Sequence, residues 1–253
     1  MLKEKKILVA GAGGLLGSKL VIALLAEGAL VIATDINIEN LHNRFENENG
    51  YADNNRLTFG ELDVTDEASV KDYFNALSGL SGAVNATYPR NKAYGQHFFD
   101  VTLDSFNENM ALHLGSAFLF TQACAKYFKC NKEPFSLINI SSIYGVIAPK
   151  FEVYGDTAMT MPIEYAAIKS AILHLGKYVS SYVGDSRFRI NSVSPGGILN
   201  NQPSEFLDKY KSNTHGEGML DVGDILGSII FLLSDSSKFV VGQNIIVDDG
   251  YSL

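Results

Sequence analysis

Residues 5–17 read KKILVAGAGGLLG. The apolar run at 7–10 has the length and composition of a buried parallel strand. Glycines follow at positions 11, 13, 14 and 17, and a helical pattern of apolar residues begins directly after them. A strand, a glycine turn and a helix N-terminus form an anion site, because backbone N–H groups point outward there and the helix dipole favours a pyrophosphate. The stretch predicts a dinucleotide-binding turn.

A second apolar run, at 29–34, ends in Asp35. An acidic residue at the tip of the second strand suits the two ribose hydroxyls of an adenosine and repels a 2′-phosphate. The alternative is a glycine-rich turn in an unrelated α/β protein, with Asp35 as a solvated loop residue. The strand context and the placement of the acid favour a dinucleotide site, with NAD(H) preferred over NADP(H).

Composition limits the partners of this chain. The formal net charge is −8, and no lysine- or arginine-rich block appears, which argues against nucleic acid or an anionic membrane as the main partner. No stretch has the length of a transmembrane helix or the pattern of a signal peptide. Cys124 and Cys130 lie six residues apart on an expected helix and are interpreted as reduced thiols. We expect a cytoplasmic protein with a small-molecule substrate and no structural metal.

Strand and helix patterns alternate along the whole chain, without a repeat or linker. The expected class is α/β: one Rossmann-like domain over 1–253, a doubly wound parallel sheet of about seven strands with helices on both faces. Ligands of such sheets lie beyond the carboxyl ends of the strands. Strands are expected near 5–10, 29–35, 56–63, 81–86, 135–141, 187–194 and 243–248, and helices near 15–28, 37–47, 66–78, 103–129, 162–183 and 221–234.

Residues that follow the third and fourth strands are candidates for the site. Asp63 and Val64 could flank an adenine ring, and the segment could equally hold the N-cap of the next helix. Asn85 and Ala86 would border the cofactor.

Arg90 and Lys92 are a basic pair in the loop after the fourth strand. They could hold a substrate phosphate, because guanidinium and ammonium groups bind phosphate oxygens. They could also be a solvated loop tip.

Tyr165 and Lys169 are spaced to face each other on one side of a helix that begins near Pro162. An unperturbed tyrosine titrates at about pH 10, which is too high for a base at neutral pH. A nearby ammonium stabilises the phenolate, so the pair could serve as a proton donor and acceptor. The same spacing also occurs on helices without any function.

Together these residues resemble the short-chain dehydrogenase/reductase family, in its short single-domain branch. The resemblance runs over the whole chain, including Ser142, Tyr165-x-x-x-Lys169, the run from Arg189 to Gly196 and the ending GQNIIVDDG. It implies hydride transfer, with Tyr165 moving the proton, Ser142 binding the substrate oxygen and Lys169 binding the nicotinamide ribose. The implied cofactor contacts are Gly11, Gly13, Gly14, Leu15, Leu16, Gly17, Asp35, Asp63, Val64, Asn85, Ala86, Tyr165, Lys169, Pro195, Gly196, Gly197 and Ile198.

The sequence departs from the family pattern at three places. Leu15 stands where this branch usually has glycine, and the segment from Asn85 to Tyr88 replaces the usual Asn-Asn-Ala-Gly. His113 occupies the place of an asparagine that holds a proton-relay water in relatives. His113 could hold the same water as a catalytic residue, because imidazole both donates and accepts hydrogen bonds. The alternative is a packed histidine in a chain that has lost the relay.

Two segments are expected to cover the substrate. The loop at 143–161 is about ten residues longer than the family norm and carries Tyr144 and Tyr154 as candidate substrate contacts. Its text resembles short-chain dehydrogenases of flagellin-modification and nonulosonic-acid sugar pathways. The polar segment at 196–220 is expected to be a mobile lid.

The resemblance favours an NAD(H)-dependent oxidoreductase acting on a sugar phosphate or nucleotide sugar. Two alternatives stay open: a catalytically weakened nucleotide-binding sensor or scaffold, and an epimerase or dehydratase that returns the hydride to its product. The family also implies a homodimer or homotetramer, and apolar residues all round parts of 103–129 agree with it.

Overall fold

A parallel sheet of seven strands forms the centre of the computed structural model, which describes residues 1–47, 51 and 54–253. The spatial order is β3–β2–β1–β4–β5–β6–β7, and every neighbouring pair is parallel. The order reverses between β1 and β4, which opens a crevice at the carboxyl ends of the strands. The strands are β1 (Lys6–Ala10), β2 (Leu30–Asp35), β3 (Leu57–Glu61), β4 (Leu80–Asn85), β5 (Phe135–Ile140), β6 (Phe188–Pro195) and β7 (Asn244–Val247).

Eight α-helices are found in the described part of the chain, and they cover both faces of the sheet. Alternate residues of β1 show the two layers: Ile7 and Val9 belong to one buried cluster, Leu8 and Ala10 to the other. The helices are α1 (Leu15–Ala26), α2 (Ile38–Asn47), α3 (Glu67–Ala76), α4 (Leu103–Asn109), α5 (Ser116–Asn131), α6 (Ile163–Val183), α7 (Ser204–Lys211) and α8 (Gly223–Leu233).

Each face of the sheet has its own core. On one face, α1 and α8 contribute Leu24 and Leu232 to the first cluster, and both side chains are fully buried. On the other face, α3 and α5 contribute Phe74 and Phe120, whose rings meet edge to face at 5.5 Å. The doubly wound α/β class expected from the sequence is therefore confirmed.

The segment expected as one helix over 103–129 is interrupted. A π-helical turn at Met110–Gly115 lies between α4 and α5, and it contains the buried His113. Such turns add one residue to the helical ladder and often occur at functional sites. Apolar periodicity continues through the turn, which explains why the sequence pattern did not reveal it.

Three further expectations can be compared with the structure. Both cysteines are free, with Cys124 buried and Cys130 exposed. Within residues 1–47, 51 and 54–253, no helix is long and apolar enough to cross a membrane. The same residues contain no cluster of His, Cys, Asp and Glu that could hold a metal ion.

Candidate functional site

A cavity of about 1010 Å³ lies beyond the carboxyl ends of the strands. Its lining comes from the glycine loop, from the segments after β2 to β6 and from the segment at 196–220. Of the residues expected at the site, those that line it are Gly11, Gly14, Leu15, Leu16, Asp35, Asp63, Val64, Ala86, Arg90, Ser142, Tyr144, Tyr154, Tyr165, Lys169, Pro195, Gly196, Gly197 and Ile198.

The glycine loop presents unprotected backbone at the start of α1. Gly14 is the N-cap of α1 and has no side chain that could accept a hydrogen bond from the first turn. That turn also holds no acidic residue. Gly11 has φ +80°, and a Cβ there would lie 2.9 Å from the backbone of Ala86. The free N–H groups and the positive end of the helix dipole together suit a phosphate.

Gly17 does not line the cavity, and it contributes to the site by letting α1 pack closely against the glycine loop. A Cβ on Gly17 would lie 2.1 Å from the Gly11 carbonyl oxygen, so α1 can approach the loop only at a glycine. Gly13 also lies behind the cavity wall, and its N–H donates to Asp35 Oδ2 at 3.0 Å.

Asp35 ends β2 and closes the glycine loop from one side. The hydrogen bond from Gly13 holds its carboxylate at the cavity wall, where no basic side chain neutralises it within the described part of the chain. A carboxylate in this position accepts hydrogen bonds from two vicinal hydroxyls and repels a phosphate.

The segment after β3 lines the cavity and also begins the next helix. Asp63 and Val64 are the lining residues among those expected to flank an adenine ring, and that contact stays a prediction. Asp66 is the N-cap of α3, where its carboxylate accepts from the Ala68 N–H at 2.8 Å. Asp63 also accepts from the Thr65 hydroxyl at 2.6 Å, which fixes the turn.

Asn85 shapes the turn after β4 without lining the cavity. Its side-chain oxygen accepts from the Thr87 N–H and hydroxyl at 3.2 and 2.7 Å. These two hydrogen bonds hold the turn in place. Ala86, Thr87 and Tyr88 then line the cavity.

Ser142 and Tyr165 both line the cavity, in the part that we call its reactive end. Ser142 follows β5, and its Oγ accepts from the Tyr144 N–H at 3.2 Å. Burial raises the pKa of the Tyr165 phenol, and the neighbouring Ser142 hydroxyl offsets part of this effect. A substrate oxygen placed between the two hydroxyls would contact both.

Lys169 lies one turn after Tyr165 on α6 and is 4% exposed. Its Nζ donates to the Ile140 carbonyl oxygen at 2.9 Å and lies 5.5 Å from the centre of the Tyr165 ring. Burial lowers the pKa of Lys169 to about 7. The hydroxyl of Ser141 donates to the Lys169 carbonyl oxygen at 2.8 Å and joins α6 to the end of β5.

His113 reaches the same ammonium from the π-helical turn. Its Nε2 lies 3.4 Å from Lys169 Nζ, and its Nδ1 is buried without a hydrogen-bond partner among the described residues. Burial lowers the pKa of His113 to about 2, and the positive charges of Lys169 and Arg90 add to this effect. The imidazole is therefore neutral at physiological pH.

Arg90 and Lys92 are both exposed, and only Arg90 lines the cavity. The Arg90 guanidinium lies 4.8 Å from the centre of the Tyr88 ring, a cation–π contact that holds it at the reactive end. Of the expected basic pair, only Arg90 is therefore placed to contact a ligand in the cavity.

Tyr144, Tyr154 and Tyr210 line the cavity and form what we call its aromatic wall. The Tyr154 hydroxyl donates a hydrogen bond to the Tyr144 hydroxyl, with 3.2 Å between the oxygen atoms. The Tyr144 and Tyr251 hydroxyls are also hydrogen-bonded at 3.2 Å. Tyr210 of α7 stacks on Tyr251 at 4.3 Å and accepts from the Gly197 N–H at 2.6 Å.

The segment at 196–220 therefore contributes a helix and cavity contacts that the sequence reasoning did not name. An amphipathic pattern in SEFLDKYK was the available signal for α7. The additional lining residues of the reactive end are Tyr88, Tyr94, Met159, Met161, Asn200, Gln202, Phe206, Tyr210 and Met219.

Comparison with known proteins agrees with this geometry. The family model described as enoyl-(acyl carrier protein) reductase matches residues 11–252. The chain is 40% identical to post-translational flagellin modification protein A of Campylobacter coli, and the match covers 100% of both chains. It is 26% identical to a 7alpha-hydroxysteroid dehydrogenase of Bacteroides fragilis, over 99% of this chain and 95% of the relative.

Solved structures share the fold along nearly the whole chain. A short chain dehydrogenase from Leptospira borgpetersenii with bound NAD+ superposes with a TM-score of 0.86 at 29% identity, covering 100% of this chain and 94% of that one. A gluconate 5-dehydrogenase from Burkholderia cenocepacia in complex with NADP and tartrate gives 0.83 at 25% identity, covering 99% and 96%. The chain therefore belongs to the short-chain dehydrogenase/reductase family, NAD(P)-dependent oxidoreductases that act on CH–OH groups.

Proposed function

We propose that this enzyme transfers a hydride between NAD(H) and a hydroxyl-bearing or ketone carbon of a phosphorylated or nucleotide-linked sugar. The observation that carries the proposal is a single cavity lined both by Ser142, Tyr165 and Lys169 and by the glycine loop and Asp35. In this proposal the glycine loop and Asp35 bind the dinucleotide, and the reactive end binds the substrate.

The residues present fit a dinucleotide. The uncapped N-terminus of α1 and the side-chain-free surface at Gly11 and Gly14 would hold the pyrophosphate. Asp35 would accept hydrogen bonds from the two adenosine ribose hydroxyls and would repel a 2′-phosphate. We therefore propose that the enzyme binds NAD(H) more tightly than NADP(H). Gly197 and Ile198 would lie beside the nicotinamide, which supplies or accepts the hydride.

The protein would move the proton. In the oxidation direction, Tyr165 takes the proton of the substrate hydroxyl while Ser142 donates a hydrogen bond to the same oxygen. The Lys169 ammonium favours the phenolate form of Tyr165 electrostatically, so the phenol can act closer to neutral pH than its burial alone would allow.

Two observations support the sugar class. The 40% identical relative is named for flagellin modification. Arg90 lies at the reactive end and forms no ion pair with a carboxylate in the described part of the chain. It could therefore take a substrate phosphate, while the aromatic wall packs against a sugar ring.

The test is turnover of NAD+ or NADH with a panel of sugar phosphates and nucleotide sugars. Tyr165→Phe should lower kcat by roughly 100- to 10,000-fold, because the proton donor and acceptor is lost. Tyr178 lies on the same helix and is 62% exposed, so Tyr178→Phe is a matched control that should retain full turnover. Full activity of Tyr165→Phe would contradict the assignment.

The same assay separates the alternatives. An epimerase or dehydratase with internal hydride return would convert a sugar without net change in added cofactor. A sensor or scaffold would bind NADH and convert nothing across the panel.

Arg90→Gln tests the anion site. We expect the KM for a phosphorylated substrate to rise about tenfold or more with little change in kcat, because the lost interaction is made equally in ground and transition states. Lys92→Gln removes a neighbouring charge outside the cavity and should leave KM unchanged. Equal KM values for both variants would exclude Arg90 as the phosphate contact.

A further inference from the structure

The ammonium of Lys169 lies in an enclosed environment. It has one fixed backbone acceptor, the Ile140 carbonyl oxygen at 2.9 Å. An ammonium has three N–H donors, so Ile140 alone leaves it underbonded. The only other polar side-chain atom within hydrogen-bond distance in the described part of the chain is His113 Nε2, at 3.4 Å.

This distance leaves no room for a water molecule between the two nitrogen atoms. The Lys169 ammonium has no lone pair, so the imidazole must accept and its proton must reside on Nδ1. The Nδ1–H is then the buried atom without a partner. His113 thus leaves one of its own polar atoms unsatisfied while it contacts Lys169.

Other groups around Lys169 do not provide a second acceptor. The Tyr88 ring lies 5.6 Å from Nζ and the Tyr165 ring 5.5 Å from it, and both act through their π faces. Arg90 adds a positive charge that opposes protonation of His113. The buried carboxylate of Glu164 accepts from Asn109 Nδ2 at 3.4 Å and acts electrostatically on Tyr88.

We propose that His113 is the direct hydrogen-bond acceptor of the Lys169 ammonium and that this contact keeps Lys169 protonated near neutral pH. A neutral imidazole that accepts a hydrogen bond stabilises the charged form of the lysine and opposes the cost of burying it. His113 is a positioning residue in this account, because it acts on Tyr165 through Lys169. Its consequence for catalysis rests on the proposed function.

The proposal differs from both interpretations of His113 that the sequence left open. A relay water that bridges the imidazole and the ammonium would require Nε2 to lie farther from Nζ than 3.4 Å. A histidine that only packs would leave the charge on Lys169 independent of residue 113.

The test is a pH titration of Lys169 in the whole protein without substrate, monitored by NMR of ¹³C-labelled lysine side chains. The Lys169 signal is identified by its loss in Lys169→Arg. Burial by itself lowers the pKa of Lys169 to about 7, so with His113 as acceptor the wild-type midpoint should lie above that value. In His113→Phe it should fall by about one pH unit or more, because the acceptor is removed and burial remains. His113→Gln keeps an acceptor and should titrate close to the wild type.

A Lys169 midpoint that is unchanged or raised in His113→Phe would overturn the proposal. His113→Leu, which also lacks an acceptor, serves if the phenylalanine variant does not fold, and NADH binding monitors the fold of each variant. A merely structural role would lower stability in all three variants without moving the lysine titration. The titration measures no turnover, so its result tests this proposal even if the proposed substrate class is wrong.

Discussion

Asp35 is the residue at which cofactor choice is decided in this account. Its carboxylate is fixed by the Gly13 N–H and stands at the cavity wall without a basic partner in the described part of the chain. The two solved relatives described above bind different cofactors, one NAD+ and one NADP, so family membership alone does not decide the preference.

Replacing Asp35 by Ala should narrow the difference between NADH and NADPH affinities by about tenfold or more. The substitution removes both the acceptor for ribose hydroxyls and the charge that repels a 2′-phosphate. Fluorescence titration of both cofactors measures the ratio of Kd values. If the ratio stays at the wild-type value, another group sets the preference.

His113 should make stability sensitive to acid. Its pKa is about 2 in the folded chain, against 6.5 for the unperturbed group, so below pH 6.5 only the unfolded chain takes up this proton. The free energy of unfolding should therefore fall by about 1.4 kcal/mol for each pH unit below 6.5, compared with His113→Gln. Denaturant unfolding of both proteins at several pH values checks this. Parallel pH profiles of the two proteins would contradict it.

The individual site residues were predictable where a local pattern carried them. The spacing of Tyr165 and Lys169 predicted a shared helix face, and both line the cavity. The contact between His113 and Lys169 was not predictable, because the two residues are far apart in sequence and meet only through a π-helical turn. Closeness in sequence can also mislead: Lys92 is two residues from Arg90 but does not line the cavity.

At the scale of elements, the glycine loop and α1 form the part of the site with the least tolerance. A Cβ at Gly17 would meet the Gly11 carbonyl oxygen at 2.1 Å, and neither backbone segment can move without disturbing the start of α1.

Gly17→Ala should therefore destabilise the protein by about 1–3 kcal/mol and weaken NADH binding, because the loop must shift. Gly227→Ala is the matched control: it also lies in a helix, is exposed, and has no atom within 4 Å of an added Cβ. We expect it to be neutral or stabilising by up to about 1 kcal/mol. Thermal unfolding and NADH titration compare the two. Equal stability of both variants would contradict the packing role of Gly17.

Element prediction succeeded where one periodicity ran through a segment and failed where geometry changed within it. The short buried strands and α6 appeared close to their expected bounds. The segment at 196–220 contains α7, held by a Tyr210 hydrogen bond to Gly197, and Asp249 accepts from the Gly216 and Gly218 N–H groups. These are long-range tethers, which a local pattern does not reveal. Mobility of this segment stays a prediction.

At the scale of the molecule, exposed apolar side chains near the start of α4 point to self-association. Phe99 is 95% exposed and Leu103 72% exposed, and Phe118 of α5 is also exposed. Several exposed apolar side chains on this part of the chain are our reason to expect self-association.

We predict a homodimer or homotetramer. Light scattering at micromolar concentration should give a multiple of the 27.5 kDa chain mass. Leu103→Lys with Phe118→Ser should lower that mass, since burying the introduced charge opposes association. A wild-type mass of one chain would contradict the prediction.

The central claim is that the cavity binds NAD(H) in preference to NADP(H) and uses it for hydride transfer. Fluorescence titration of the purified protein with NADH and, separately, NADPH tests its first part most directly. The account predicts saturable binding with a lower Kd for NADH. A lower Kd for NADPH would contradict the role of Asp35, and binding of neither would contradict the dinucleotide site itself.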